Sequence, residues 1–177
     1  MIMWLLLMLS SSPATSQDKF ALRCDTQAWY DEAAQMALLS RTPGDIDTMH
    51  SVFDADDVSF VDADGHHHDW TEMRASAVLA LQGPPADQMR QVLRDVKPTA
   101  DGATAVIVSV TVRKVIDTEG RYGRAGASHA VAIMITYRDS LVQNGTSWKL
   151  KTREQVGAPE TLVDKLPKEL EGSRCGS

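Results

Sequence analysis

Two periods divide the chain. As far as Gly83-Pro84-Pro85 the apolar residues recur at helical spacing, and beyond it they alternate. In residues 25–41, Trp29, Ala33, Met36, Ala37 and Ser40 fall on one helical stripe, with Asp25 as N-cap and Pro43-Gly44 as the stop. A second short helix is predicted over residues 45–53, capped by Asp45, with Ile46, Met49, Val52 and Phe53 facing inward. A short strand, Val58-Ser59-Phe60-Val61, leads into an Asp-rich turn. Residues 69–82 form a third helix, in which Asp69 and Glu72 make a capping-box pair.

The alternating half predicts strands. Residues 88–96 read as a helical or strand-like approach, with strand favoured for the end, 92–96, and Val106, Val108, Val110 and Val112 form one face of a long strand over 103–116. After a turn at 117–120, residues 129–141 put His129, Val131, Ile133, Ile135 and Tyr137 on a single, inward face. Asn144-Gly145 is a hairpin signal, and in the last strand, 148–156, Trp148, Leu150, Thr152 and Glu154 share a face. Residues 158–177 lose periodicity and read as a tail with one short helical stretch. Helices gathered on one side of an antiparallel sheet make an α+β fold. The opposite strand faces, Ala130, Ala132, Met134 and Thr136 with Ala105, Ile107, Ser109 and Thr111, are semi-apolar. They suggest a homodimer that buries the outer face of the sheet.

The first nine residues, MIMWLLLML, are uninterrupted apolar residues followed by SSSPATS. This is a secretory signal pattern, too short for a stable membrane anchor, with cleavage placed after Ser16. No Lys or Arg precedes it. The alternative is an apolar strand or helix at the N-terminus. The division expected is a signal peptide over 1–16, a domain over 17–157 and a tail over 158–177. Export permits a disulfide between Cys24 and Cys175, which would clasp the two ends of the domain; two unpaired thiols are the other reading.

The remaining composition narrows the function. The chain has 177 residues, one domain's worth, and two cysteines cannot form a disulfide framework. A net charge of −6 argues against a nucleic-acid partner, which needs a positive field. The charge is uneven. Eight Asp and no Lys or Arg lie between Asp45 and Asp69, and eight basic residues against three acidic ones lie between Arg113 and Arg153. A basic sheet steers anions; such faces also simply pair with each other and with water.

The stretch Gly44-Asp45-Ile46-Asp47, Phe53 and 56–65 resembles the helix-helix-strand opening of SnoaL-like domains, in the nuclear-transport-factor-2-like superfamily. Tyr137-Arg138-Asp139 through Leu150 resembles the final hairpin of that family. The resemblance spans residues 25–157 and rests on the order of these segments. It implies a cystatin-like, SnoaL-like roll: a cone-shaped curved antiparallel sheet packed around N-terminal helices, enclosing a pocket. The superfamily includes isomerases, dehydratases and non-catalytic modules, so the fold leaves the function open.

The pocket implied by the resemblance would be lined by Trp29, Tyr30, Phe53, Trp70, His129, Tyr137 and Trp148, and would take a small apolar ligand. Candidate bases are His129, Glu154 and Asp57, with Tyr30 or Tyr137 as donor. Against this stands the reading of His129 and Glu154 as hydrated or salt-bridged strand ends. A core filled by Met36, Phe53, Trp70 and Trp148 would leave no pocket at all. No cofactor is expected, and no metal: the consecutive His66-His67-His68 beside Asp62 and Asp64 cannot easily converge on one ion and read as a solvated turn. Asn144-Gly145-Thr146 is formally a glycosylation sequon, though a tight turn explains it equally well.

Overall fold

The computed structural model describes residues 16–170 and Cys175. The segment predicted as a signal peptide therefore lies outside the described residues, apart from Ser16, which opens the first helix. Three helices, α1 (Ser16–Leu39), α2 (Pro43–Phe53) and α3 (Trp70–Ala80), accompany seven strands. The strands are β1 (Asp54–Val61), β2 (His67–His68), β3 (Gln88–Pro98), β4 (Gly102–Asp117), β5 (Ala127–Asn144), β6 (Ser147–Gln155) and β7 (Glu160–Val163). A single 3₁₀ turn covers Lys168–Leu170. Among the described residues no helix is long and apolar enough to cross a membrane.

The strands form one curved, unclosed sheet in the order β2-β1-β6-β5-β4-β3, with β7 on β5 beyond the end of β6. The α+β class is as expected. The sheet is antiparallel except where β1 lies parallel to β6, a pairing between distant segments that no local pattern encodes. Helix α1 crosses the concave face. Its Trp29, Tyr30 and Ala33 pack with Phe53, Val58, Leu93, Ala105, Ile107, Leu141 and Leu150 in the main core.

Local signals placed most boundaries. Asp69 accepts the Glu72 N–H at 3.0 Å, and the Glu72 carboxylate reaches back to the Asp69 N–H, completing the predicted capping box. Helix α2 starts two residues earlier than expected. Thr42 is its N-cap, and Asp45 closes a second capping box from the third position. Helix α1 begins nine residues before Asp25, which lies on its exposed side. The hairpin between β5 and β6 turns where Asn144-Gly145 predicts, with Gly145 at φ 62°, a conformation glycine adopts without strain.

Three features depart from the alternation. In β4 the faces are reversed. Ala103, Ala105, Ile107 and Ser109 face the core and are at most 8% exposed, whereas the valine stripe lies on the convex side. Both faces of β4 are apolar, so period two cannot say which one meets the helix. The set containing Ala105 and Ile107 does, packing with Trp29, Tyr30 and Ala33 of α1 in the main core. On the convex side Val110, Val112 and Ala132 are buried under Leu162 and Leu170. The chain's own C-terminal segment thus covers part of the face on which a homodimer was expected. The segment read as a tail supplies this cover, with β7 as a strand of the sheet. In β6 a register shift between the Ser140–Thr152 and Leu141–Leu150 pairs splits the predicted face. Trp148 and Leu150 point inward, Thr152 and Glu154 outward, and Arg153 takes the inner position.

Cys24 and Cys175 form the disulfide, 151 residues apart in sequence. It ties the first half of α1 to the end of the described chain.

Candidate functional site

The concave face of the sheet has a closed end and an open end. At the closed end the polar residues satisfy one another. Asp139, opposite Ala105 in the β4–β5 ladder, is fully buried. Arg153 grips it with two bonds, Nε to Oδ1 at 2.9 Å and Nη2 to Oδ2 at 2.6 Å. The Tyr30 hydroxyl donates to Oδ2 at 2.8 Å. The Arg153 guanidinium also lies over the Tyr137 ring, 4.8 Å from its centroid. Burial is the main cause that pushes the Tyr30 hydroxyl well above its usual range, and Tyr137 is raised for the same reason. Burial opposes the charge on Arg153, but Asp139 outweighs it and keeps the guanidinium protonated. Gln27 completes this end, donating to the Gln91 carbonyl and accepting the Leu93 N–H, both at 2.8 Å.

The open end holds a cavity of about 360 Å³. It lies between the last turns of α1, helices α2 and α3, the 83–86 loop, and the inner faces of β3 and β4. Its wall is mostly aliphatic, from Ile46 and Met49 of α2 to Ala77 of α3 and Met89 of β3. The polar side chains in the lining are Ser40, Arg41, Thr111 and Arg113. Ser40 Oγ donates to the Met36 carbonyl at 2.9 Å, and Arg41 Nη1 donates to the Leu38 and Ser40 carbonyls at 2.6 and 2.8 Å. Arg113 differs from these. Its Nε is buried without a hydrogen-bond partner, and no ion pair involves its guanidinium among the described residues.

None of the residues expected to form the pocket lines this cavity. Tyr30, Trp29 and Phe53 are core, and the Trp29 ring meets the Tyr30 and Phe53 rings edge-on. Trp70 stacks on His50 with centroids 3.8 Å apart, and Trp70, Tyr137 and Trp148 pack against the main core. Trp29, Tyr30 and Phe53 therefore fill the closed end of the concave face, while Trp70 also borders an open depression beside Asp57 and His68, and Trp29 and Trp148 border another.

The candidate bases are dispersed. Asp57 is exposed and ion-paired with Lys151, whose ammonium lowers its carboxyl below the ordinary value. Glu154, turned outward by the shift in β6, pairs with Arg138 at 3.0 Å. His129 is on the inner face as expected. Its Nδ1 lies 2.7 Å from Asp164, and its Nε2 is buried without a partner next to the 118–126 turn, beyond the cavity lining. The His66-His67-His68 segment is a turn organised by Asp62. The Asp62 carboxyl is pulled far down, first by the His66 N–H and then by the His68 and His66 rings. Asp62, Asp64 and His66 bring one ligand atom each within 4.8 Å, but Asp64 and His66 are exposed.

Sequence reasoning missed Asp139, Arg153 and Arg113. Asp139 is the next inward position after Tyr137 on β5, so the alternation already contained it. Arg153 was hidden by the register shift, and Arg113 by the reversed face of β4.

No protein-family profile matches the chain, and no curated protein matches it. Solved structures do. A putative scytalone dehydratase from Novosphingobium aromaticivorans shares 11% identity over 82% of this chain and 91% of its own, with a TM-score of 0.52. A point variant of Rv3472 from Mycobacterium tuberculosis, a protein of unknown function, shares 15% over 91% and 82%, with a TM-score of 0.51. An NTF2-like protein with a cystatin-like fold, also from Novosphingobium aromaticivorans, shares 16% over 92% and 95%, with a TM-score of 0.42. At these identities the shared property is the fold alone, an α+β roll of helices on a curved sheet.

Proposed function

We propose that this chain is a small-molecule-binding protein, and that its ligand occupies the cavity between the helices and β3–β4. The observation that carries this reading is the lining itself. It is concave and mostly aliphatic, and among the described residues the ionisable side chains in it are Arg41 and Arg113. Acid–base catalysis needs a group that exchanges a proton near neutral pH, and arginine stays protonated. A dehydratase- or isomerase-type reaction, suggested by the name of one neighbour of the same fold, would need His129, Glu154 or Asp57 at the cavity, and these lie elsewhere. Binding is therefore preferred to turnover.

The reading includes export after cleavage near Ser16, with which the Cys24–Cys175 disulfide is compatible. It also includes a homodimer formed through the uncovered part of the convex face. Sedimentation at micromolar concentration gives a dimer mass on this reading, and a monomer removes that part of it.

The test of the pocket is native mass spectrometry against a library of small apolar and amphipathic compounds. Retention of a ligand is expected, together with its loss in Ala77→Phe, which fills the cavity from α3. A cavity that stays empty across the library overturns the reading.

A further inference from the structure

We infer that the cavity selects ligands with an apolar body and one anionic group, most simply an organic carboxylate, and that Arg113 is the residue that grips the anion. This rests on the binding reading above and deepens it.

Arg113 projects from β4, where its neighbours on the same face are Thr111 and the buried Ser109. A guanidinium carries five N–H donors in a planar fork. Removing such a group from water without supplying acceptors is costly, and proteins normally supply them. The closed end of this same sheet shows how the chain does so: Arg153 receives a fully buried carboxylate, with a tyrosine completing the set. Arg113 receives none, although its Nε is out of solvent. Among the described residues no Asp, Glu or His lines the cavity, so no charged acceptor there competes for the fork.

Arg41 adds a second positive charge to the lining, and its Nη1 is already committed to two backbone carbonyls. Two cations facing an aliphatic wall, with no anion among them, are complementary to an amphipathic anion and repel an amphipathic cation. A carboxylate fits the fork of Arg113 through two parallel hydrogen bonds, which are shorter and stronger than those to a neutral amide. The Thr111 hydroxyl, on the same face of β4, is placed to select orientation. The aliphatic side chains of Ile46, Met49 and Met89 would take the hydrocarbon part.

The experiment is calorimetric titration of the full chain with octanoate, octanamide and octylammonium, three probes that share one apolar body. Octanoate should bind at least about tenfold more tightly than octanamide, with octylammonium weakest. The methyl NMR signals of Met49 and Met89 should shift with octanoate. In Arg113→Met, octanoate should fall to the level of octanamide while octanamide is unchanged. Lys114→Met removes the same charge from the adjacent, exposed position and should preserve the preference. Equal binding of octanoate and octanamide to the unaltered protein overturns the charge selection and leaves the pocket standing. Binding of none of the three overturns the pocket as well. Octanoate binding that leaves both methionine signals in place overturns the location. Should Arg113→Met fail to fold, the three probes and the methionine signals on the unaltered protein still decide.

Discussion

Arg153 and Arg113 stand on the same concave surface and meet opposite fates. Arg153 is held by a carboxylate that the fold buries completely, under a tyrosine from α1 and over another from β5. Arg113 sits at the edge of a cavity whose described lining holds no carboxylate, with its Nε unpartnered. Asp139, the partner of Arg153, lies opposite Ala105 in the ladder, and Arg113 is eight residues further along β4, roughly 25 Å of strand. The closed end is filled: Tyr30 and Asp139 are 0% exposed, whereas Ile133, on the inner face towards the other end, is 38% exposed. A charge that holds a fold together finds its partner within the chain. A charge left over beside an apolar cavity is free to find one outside it.

The contrast is open to measurement. The largest effect belongs to the disulfide at the closed end. Reduction, or Cys24→Ser, releases a closure spanning 151 residues and should cost about 5 kcal/mol in the chain-entropy picture, read from urea denaturation. A change below about 1 kcal/mol would mean that the clasp does not constrain the unfolded chain.

Next comes the buried pair. Asp139→Ala strands Arg153 and the Tyr30 hydroxyl together and should cost about 3–5 kcal/mol, and Asp139→Leu combined with Arg153→Met should recover part of that loss. Arg113→Met should change stability by less than about 1 kcal/mol, because it breaks no hydrogen bond or ion pair. Equal losses at Asp139 and Arg113 would erase the distinction between the two ends.

The smallest effect lies beyond the cavity, where Asp164 meets His129. His129, followed by the Ala130 N–H, lowers the Asp164 carboxyl from its ordinary value. Its contribution to stability is therefore complete above the ordinary carboxylate value, about pH 4, and is lost as pH falls through its lower folded value. Asp164→Asn should flatten the acid limb of the stability profile, visible in urea midpoints measured between about pH 6 and pH 2. An unchanged acid limb would mean that this exposed contact is screened out.

Much of the fold is legible where the information is local. Capping boxes, proline and glycine stops and the Asn144-Gly145 turn act within a few residues, and they place α3, the end of α1 and the β5–β6 hairpin close to where they lie. Alternation also puts His129, Tyr137 and, by extension, Asp139 on the concave face. It fails where both faces of a strand are apolar, as in β4, and where one extra residue shifts the register, as in β6. The candidate site inherits both failures. Alternation puts Glu154 inside and the shift turns it outside, while Arg153 and Arg113 point inward from positions that alternation assigns to the outer face.

By itself, then, the amino-acid order determined the α+β class and the three helices that precede the long strands. These follow from periodicity and turn chemistry, which neighbours along the chain supply. Only the tertiary structure decided which face of β4 meets α1, that the C-terminal segment covers the convex side, and that Arg113 faces a cavity without a partner. Each of those depends on which residues distant in sequence come into contact, and a charge is partnered or left over only once those contacts exist.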